Sequence, residues 1–278
     1  MGVIAAERVG YALDFDFDFV GAVHSVFSGA VNLEIQDQMW TLLASDCADL
    51  PFGIRLPVRS FEAFAIRRGA CVHARAGFLG VGRPGRPIVV DCRAAPRWAP
   101  SPPSAIAPGF AVRRARLSQA AAARAWFGSR AMAREATRSL QNGAHLLEGA
   151  LAGIVGCGPG LTPAGDDVLV GILAILSSPL AGDAHAQASQ AMRRAVEGLA
   201  PKTTTLSGHM LRQAARGLLG RMPHDLVGAL AGGLAADELD CAVRSIAATG
   251  ATSGADVCMG VLEAAQAFLR FGAYEAAT

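Results

Sequence analysis

The sequence predicts an α+β protein, with an N-terminal mostly antiparallel β sheet or partial barrel followed by a C-terminal all-α helical bundle. In the first third of the chain, short apolar stretches are separated by Gly and Pro residues, which is typical of strands joined by turns. A proline-rich segment follows. Beyond it, apolar residues recur at spacings of three and four, which is typical of helices that bury one face.

The β-rich domain is expected over residues 1–95. Residues 15–19 read Phe-Asp-Phe-Asp-Phe and alternate with a period of two, as a half-buried strand does. Ser28 and Gly29 predict a turn or bulge. The remaining strand candidates are apolar and flanked by turn residues, and they lie at residues 20–27, 30–35, 39–44, 53–56, 70–78 and 87–91.

The predicted domain boundary is a linker over residues 96–115. Five prolines fall within residues 93–109, and such a stretch is typical of an extended crossing between domains. The α-helical domain is expected over residues 116–278. Helices are predicted at residues 118–127, 131–153, 163–176, 184–199, 205–219, 225–234, 237–249 and 254–271.

Composition excludes several classes of protein. Apolar residues make up 52% of the chain and charged residues 17%, which excludes general disorder. A net charge of +2 gives no indication of nucleic-acid or membrane-surface binding. No two of the six cysteines form a CxxC unit, which argues against a zinc ribbon. No cofactor and no metal ligands are predicted, and whether the protein requires a metal stays open. The N-terminus lacks the features of a secretion signal, and no apolar run approaches the length of a membrane span; a cytoplasmic location is therefore expected.

A glycine-rich loop at residues 156–167 is the strongest candidate for a small-molecule site. It reads Gly-Cys-Gly-Pro-Gly-Leu-Thr-Pro-Ala-Gly-Asp-Asp. Thr162 and Pro163 predict a helix start, with Thr162 as the cap. Gly158 and Gly160 allow a ligand to approach the main chain, and the helix N-terminus offers N–H donors to phosphate or carboxylate. The loop is neither a Walker A nor a GxGxxG sequence.

Asp166 and Asp167 allow two interpretations. Carboxylates in the first turn stabilise a helix by roughly 0.3–1 kcal/mol, and they need do no more than that. The functional alternative is that one of them binds a substrate amide or ammonium group, a magnesium ion, or a catalytic proton.

A second segment repeats the pattern of this helix start. Residues 165–173 and residues 254–262 share Gly-x-Asp-Val-x-x-Gly-[Ile/Val]-Leu, and Thr252 corresponds to Thr162 as an expected cap. Asp167 and Asp256 therefore begin two related helices. If the two N-termini pack together, both aspartates face one pocket. The alternative is that Gly-rich helix starts simply resemble one another.

Two other segments offer candidate ligands. In the segment 202–209, Thr205, Ser207 and Lys202 stand at a helix start and are candidates for binding an oxyanion, although a simple capping cluster explains them equally well. In the β half, Asn32 could bind a substrate amide and Arg55 a carboxylate, but a structural role is the simpler interpretation for each.

These motifs resemble the AllH-type family, which was long a domain of unknown function. The resemblance rests on residues 156–167, 203–207 and 252–256, together with 28–34 and 51–56, and so extends along nearly the whole chain. The family is similar to one subunit of oxamate carbamoyltransferase, which acts in anaerobic allantoin breakdown. The resemblance implies the interconversion of oxalurate plus phosphate with oxamate plus carbamoyl phosphate, and AllF (FdrA-like) and AllG-like partner subunits.

The Ser-x-Arg-Thr-Arg phosphate motif of ordinary carbamoyltransferases is missing, so their mechanism does not transfer. A related ureido or carbamoyl substrate stays open, as do two other roles: a non-catalytic anion-binding subunit and a purely structural subunit. For the transferase, Asp167 or Asp256 is the expected proton acceptor. The expected substrate- or phosphate-binding residues are Gly158, Gly160, Leu161, Thr162, Gly165, Asp166, Thr205, Ser207, Ser253, Gly254, Asn32 and Lys202.

Overall fold

The computed structural model describes residues 3–15, 18–83, 86–232 and 236–269. The chain divides into two compact units, Met1–Pro100 and Ser101–Thr278. The division falls within the segment 96–115 that the prolines single out.

The first unit is a curled, mixed ten-stranded sheet that forms a half-barrel, in the order β1-β9-β8-β7-β3-β4-β5-β6-β2-β10. Six of the neighbouring pairs are antiparallel; β1–β9, β2–β10 and β5–β6 are parallel. The predicted fold of this half is confirmed. The strands are β1 Val3–Ala5, β2 Arg8–Gly10, β3 Phe19–Val26, β4 Ala30–Ile35, β5 Gln38–Leu43, β6 Gly53–Arg55, β7 Cys71–Arg75, β8 Phe78–Arg83, β9 Arg86–Asp91 and β10 Arg97–Trp98.

Several strand predictions differ in detail from the structure. The predicted strand at 70–78 is part of a hairpin, because Ala76 and Gly77 have positive φ angles of 49° and 79° and reverse the chain between β7 and β8. The predicted strand at 15–19 is wrong at Phe15 and Asp18, which lie outside strands, and right only at its last residue, Phe19, which begins β3; residues 16–17 lie outside the described residues. Phe15 instead packs edge-on against the buried Trp40, with ring centroids 5.5 Å apart.

The second unit contains nine α-helices in its described part and confirms the predicted helical region. Gly143, with a φ of 127°, divides the long helix predicted at 131–153 into α2 and α3, and α1 begins within the proline-rich segment. The helices are α1 Phe110–Ala122, α2 Ser129–Asn142, α3 Ala144–Ala152, α4 Ala164–Leu176, α5 Ala186–Leu199, α6 Thr205–Ala215, α7 Arg221–Ala231, α8 Ala236–Ala248 and α9 Ser253–Phe268.

Helices α4 and α9 form the centre of this unit. Every residue of α4 is buried, which is typical of a helix that is covered on all sides. The two helices cross at Gly171 and Gly260. A Cβ atom added to Gly171 would lie 2.1 Å from the carbonyl oxygen of Val257, and one added to Gly260 would lie 2.0 Å from that of Val168. The two backbones are therefore in direct contact at the crossing.

No helix in the described part of the chain has both the length and the apolar character needed to cross a bilayer.

Candidate functional site

The two helix starts differ from the predicted caps. Helix α4 begins at Ala164 with Pro163 in the cap position, so Thr162 is not its cap. Thr252 occupies the cap position of α9, but its side chain makes no capping hydrogen bond. The prediction of Thr162 as a cap is wrong, whereas the prediction of Thr252 is right in position and lacks the capping hydrogen bond. The physical reason at α4 is that the Thr162 hydroxyl lies 2.9 Å from the Ser253 hydroxyl and hydrogen bonds with it.

The N-termini of α4 and α9 lie side by side. Thr162 directly precedes the turn into α4, and its hydrogen-bond partner Ser253 is the first residue of α9. Both hydroxyls also hydrogen bond with the Asp167 carboxyl group. The Asp256 carboxylate is close enough for its charge to act on Asp167. The structure thus brings together Asp167, Asp256, Thr162 and Ser253, as the repeated motif indicates.

Asp256 is fully buried and is held by the segment that leads into α2. Its Oδ1 atom accepts hydrogen bonds from the backbone N–H of Trp126 at 2.8 Å and the hydroxyl of Ser129 at 2.6 Å. Its Oδ2 atom is buried without a hydrogen-bond partner. The sequence analysis did not identify Trp126 or Ser129. Their one local signal was the Gly128-Ser129 pair at the start of α2. One oxygen of Asp256 is therefore fixed by two hydrogen bonds, and the other has no partner.

Asp167 is 3% exposed, and its Oδ2 atom is also buried without a partner. Burial raises the pKa of this carboxyl group well above its usual value, and the charges of Asp256 and Asp166 raise it further. Hydrogen bonds from Ser253 and Thr162 oppose the shift without cancelling it. Asp167 therefore holds a proton at pH values where an exposed aspartate has lost it.

The raised pKa of Asp167 predicts a distinctive pH dependence of stability. Between the usual value of 3.8 and the raised value, the folded state binds more protons than the unfolded state, so this group's contribution to stability falls as pH rises. Asn at position 167 does not titrate. We expect the free energy of unfolding of Asp167→Asn, minus that of the wild type, to increase between pH 4 and pH 8 in urea titrations. A difference that is independent of pH would contradict the shift.

Asp166 has a structural role. Its Oδ1 atom accepts the backbone N–H of Gly156 at 2.9 Å, and its Oδ2 atom accepts the hydroxyls of Thr203 at 2.5 Å and Ser207 at 2.7 Å. The carboxylate thereby connects the glycine loop to the start of α6. Ser207, a predicted substrate ligand, directs its hydroxyl to Asp166. Thr203 was missed because nothing in its local sequence distinguishes it from the two threonines that follow.

At the start of α6, Thr204 forms hydrogen bonds within the protein, whereas Lys202 and Thr205 are exposed. Thr204 caps the helix by accepting the backbone N–H of Ser207, and its hydroxyl donates to the carbonyl oxygen of Leu161. The predicted ligands Thr205 and Lys202 are exposed. Both are accessible to solvent next to the glycine loop.

The glycine loop is partly exposed and carries free donors. Gly158 and Gly160 have φ angles of 116° and 95°, which only glycine adopts readily. No acceptor among the described residues takes the backbone N–H groups of Gly158, Gly160, Leu161 or Thr162. The side chain of Leu161 is 43% exposed. The loop therefore presents several N–H donors to solvent beside the buried carboxyl groups.

Two glycines of the repeated motif permit close packing. A Cβ atom at Gly165 would lie 2.0 Å from the carbonyl oxygen of Ile154, and one at Gly254 would lie 2.6 Å from that of Ile246. Both glycines lie in the first turns of α4 and α9, and their immediate neighbours are backbone atoms of this unit. Their part in binding a substrate stays a prediction.

Asn32 belongs to the β unit, where its side chain is engaged. Its amide nitrogen donates to the hydroxyl of Ser25 at 2.9 Å, and its amide oxygen accepts from the hydroxyl of Thr41 at 2.9 Å. Arg55 forms an ion pair with Asp49 at 2.7 Å. These contacts support the structural interpretation of both residues. Within the described residues, no three His, Cys, Asp or Glu side chains are arranged to hold a metal ion.

Comparison with known protein families follows the same two-part organisation. A model described as "AllH family N-terminal domain" matches residues 10–97, and one described as "Oxamate carbamoyltransferase subunit AllH" matches residues 154–265. No curated protein and no solved structure matches the chain. The matches define a subunit of an enzyme complex, built from a β unit and a helical unit. The chain belongs to the AllH family.

Proposed function

We propose that this chain contributes a substrate site to a cytoplasmic oxamate carbamoyltransferase-type complex, which interconverts oxalurate plus phosphate with oxamate plus carbamoyl phosphate. One observation carries the proposal. Asp167 and Asp256 stand at adjoining helix N-termini, and each keeps one buried carboxyl oxygen without a partner. Native proteins seldom leave buried polar atoms unpaired, and such atoms concentrate at functional sites.

The raised pKa of Asp167 suits the proton transfer that this reaction requires. In the direction that consumes oxalurate, a phosphate oxygen attacks the ureido carbonyl carbon and the bond from that carbon to the oxamate nitrogen breaks. The departing nitrogen keeps the electron pair and needs a proton, which Asp167 supplies. In the reverse direction, the same carboxylate accepts the proton from the attacking nitrogen. A carboxyl group whose pKa is raised well above its usual value is suited both to giving and to taking this proton.

The glycine loop supports the second requirement, a place for negative charge. The unpaired N–H groups of Gly158, Gly160, Leu161 and Thr162 are available to a phosphate or carboxylate group. Lys202 and Thr205 are exposed at the start of α6, which contacts the glycine loop through Thr204 and Leu161, and they are candidates to supplement these donors. We assign the remaining parts of the active site to AllF (FdrA-like) and AllG-like partner subunits.

Reconstitution tests this function. The purified chain, mixed with AllF- and AllG-like subunits from the same genome, is expected to form carbamoyl phosphate from oxalurate and phosphate, measured by coupling to carbamate kinase and ATP detection. Omitting the chain should abolish the activity. Full activity without it would leave a structural or anion-sensing role. Activity on a different ureido compound alone would retain the reaction class and replace oxalurate.

A further inference from the structure

We infer that Asp167 and Asp256 together select the uncharged, N–H-bearing end of the substrate and reject an isosteric carboxylate at that position. The anionic part of the substrate then binds outside the pair, at the glycine loop. This inference rests on the proposed function for the identity of the substrate, but it concerns binding and is tested without turnover.

The first step of the argument is the count of hydrogen-bonding atoms. The Oδ1 atom of Asp256 is saturated by Trp126 and Ser129, whereas its Oδ2 atom is buried and unpaired. The Oδ2 atom of Asp167 is likewise unpaired, and both side chains are at least nine-tenths buried. A ligand that pairs with the Oδ2 atom of Asp256 must bring a hydrogen-bond donor. Amide and ureido groups carry N–H donors, and a carboxylate carries none.

The second step concerns charge. Asp166, Asp167 and Asp256 are all buried, and none of them forms an ion pair with an Arg, Lys or His side chain in the described part of the chain. An incoming anion would add negative charge where no cation compensates it. Because solvent screens buried charges poorly, this repulsion is strong. An uncharged amide end avoids it.

The third step is complementarity between the pair and an amide. A primary amide or terminal ureido group presents both a carbonyl acceptor and N–H donors. A protonated Asp167 offers an O–H donor to the carbonyl oxygen, and the buried, unpaired Oδ2 atom of Asp256 offers an acceptor to an N–H group, so the two together match an amide. The raised pKa of Asp167 supports its role as the donor. A site built to bond an N–H group discriminates strongly against an analogue that lacks it.

The hydroxyls of Thr162 and Ser253 lie beside Asp167 and are more exposed than it is, and we place the approach of the ligand there. They hydrogen bond to one another at 2.9 Å and to Asp167, and unlike Asp167 they are only half-buried. A hydroxyl both donates and accepts, so these two tolerate either end of a ligand. The selection therefore falls to the carboxyl groups beneath them.

Oxamate and oxalate provide a matched pair of probes, because they differ only in one amide group that oxalate replaces with a carboxylate. Calorimetric titration of the full chain at pH 7, with EDTA present, is expected to show that oxamate binds at least about tenfold more tightly than oxalate. Asp167→Asn is expected to reduce this ratio at least about threefold. Asp183→Asn is the control: it makes the same change of residue at an exposed carboxylate, and it should keep the wild-type ratio.

Three results would overturn the inference: oxalate binding as tightly as oxamate, a ratio that Asp167→Asn leaves unchanged, or no oxamate binding by either the chain or the complex. A preference for oxalate that appears on adding magnesium would identify a cation site instead. Selectivity without turnover in the reconstituted complex would reject the proposed function and retain the inference. Turnover without selectivity would do the reverse.

Discussion

Asp167→Asn in the reconstituted complex is expected to lower turnover at least about tenfold, because an amide cannot exchange the proton that the oxamate nitrogen gains and loses. Asparagine preserves the size of the side chain and keeps an oxygen for the hydrogen bonds from Ser253 and Thr162. The loss should therefore appear in kcat rather than in assembly of the complex. Initial rates of carbamoyl phosphate formation, measured over a range of oxalurate concentrations, give the kcat of the variant and of the wild type.

The expected fall in turnover is distinguishable from a folding defect. The same variant should be more stable than the wild type at neutral pH, because it no longer buries a titrating carboxyl group. A stable but inactive variant is difficult to explain by a purely structural role for Asp167. Asp183→Asn serves as the matched variant and should retain full turnover. If Asp167→Asn also retains it, Asp167 has no part in proton transfer.

Gly171→Ala is expected to destabilise the protein by about 3 kcal/mol or more, because the new methyl group must displace backbone rather than a flexible side chain. It would lie 2.1 Å from the carbonyl oxygen of Val257 and 2.8 Å from the backbone nitrogen of Val261. Gly260→Ala faces the same conflict with Val168. Urea denaturation followed by circular dichroism measures the change, and a variant that fails to fold agrees with the prediction.

Gly198→Ala provides the matched control for this prediction. Gly198 lies inside α5, and a Cβ atom added there meets nothing within 4 Å. The same change of residue should therefore stabilise the protein by roughly 0.5–1 kcal/mol, through the lower backbone entropy of alanine in the unfolded chain. A Gly171→Ala protein that unfolds within about 1 kcal/mol of the wild type would mean that α4 and α9 do not cross in contact.

Features that depend on local residue patterns can be predicted from the sequence. The apolar residues and the adjacent turn predict both ends of β4 correctly. The spacing of apolar residues predicts the first residues of α4 and α6 to within one residue. Short strands escape this kind of prediction. The strand β1 contains only three residues and pairs in parallel with β9, so it has neither a readable period nor an adjacent turn.

For the candidate site, the repeated motif was informative and the capping residues were misleading. The repeat indicated that Asp167 and Asp256 would meet, since the paired glycines permit close helix packing. The hydroxyl of Thr162 hydrogen bonds with Ser253, which lies 91 residues away along the chain. Asp256 is held by Trp126, 130 residues away. Contacts over such separations depend on the tertiary fold, so they cannot be predicted from the local spacing of residues.

The crossing of α4 and α9 also bears on how substrate preference can change in this family. Where two helices touch through side chains, substitutions that enlarge or shrink those side chains shift one helix relative to the other. Here the main chains touch at Gly171 and Gly260, and neither glycine has a smaller replacement. Small substitutions at the crossing therefore cannot change the distance between the two carboxyl groups in small steps. We expect substitutions that adapt the site to longer or shorter substrates to occur instead at its more exposed residues, such as Leu161, Thr162 and Ser253.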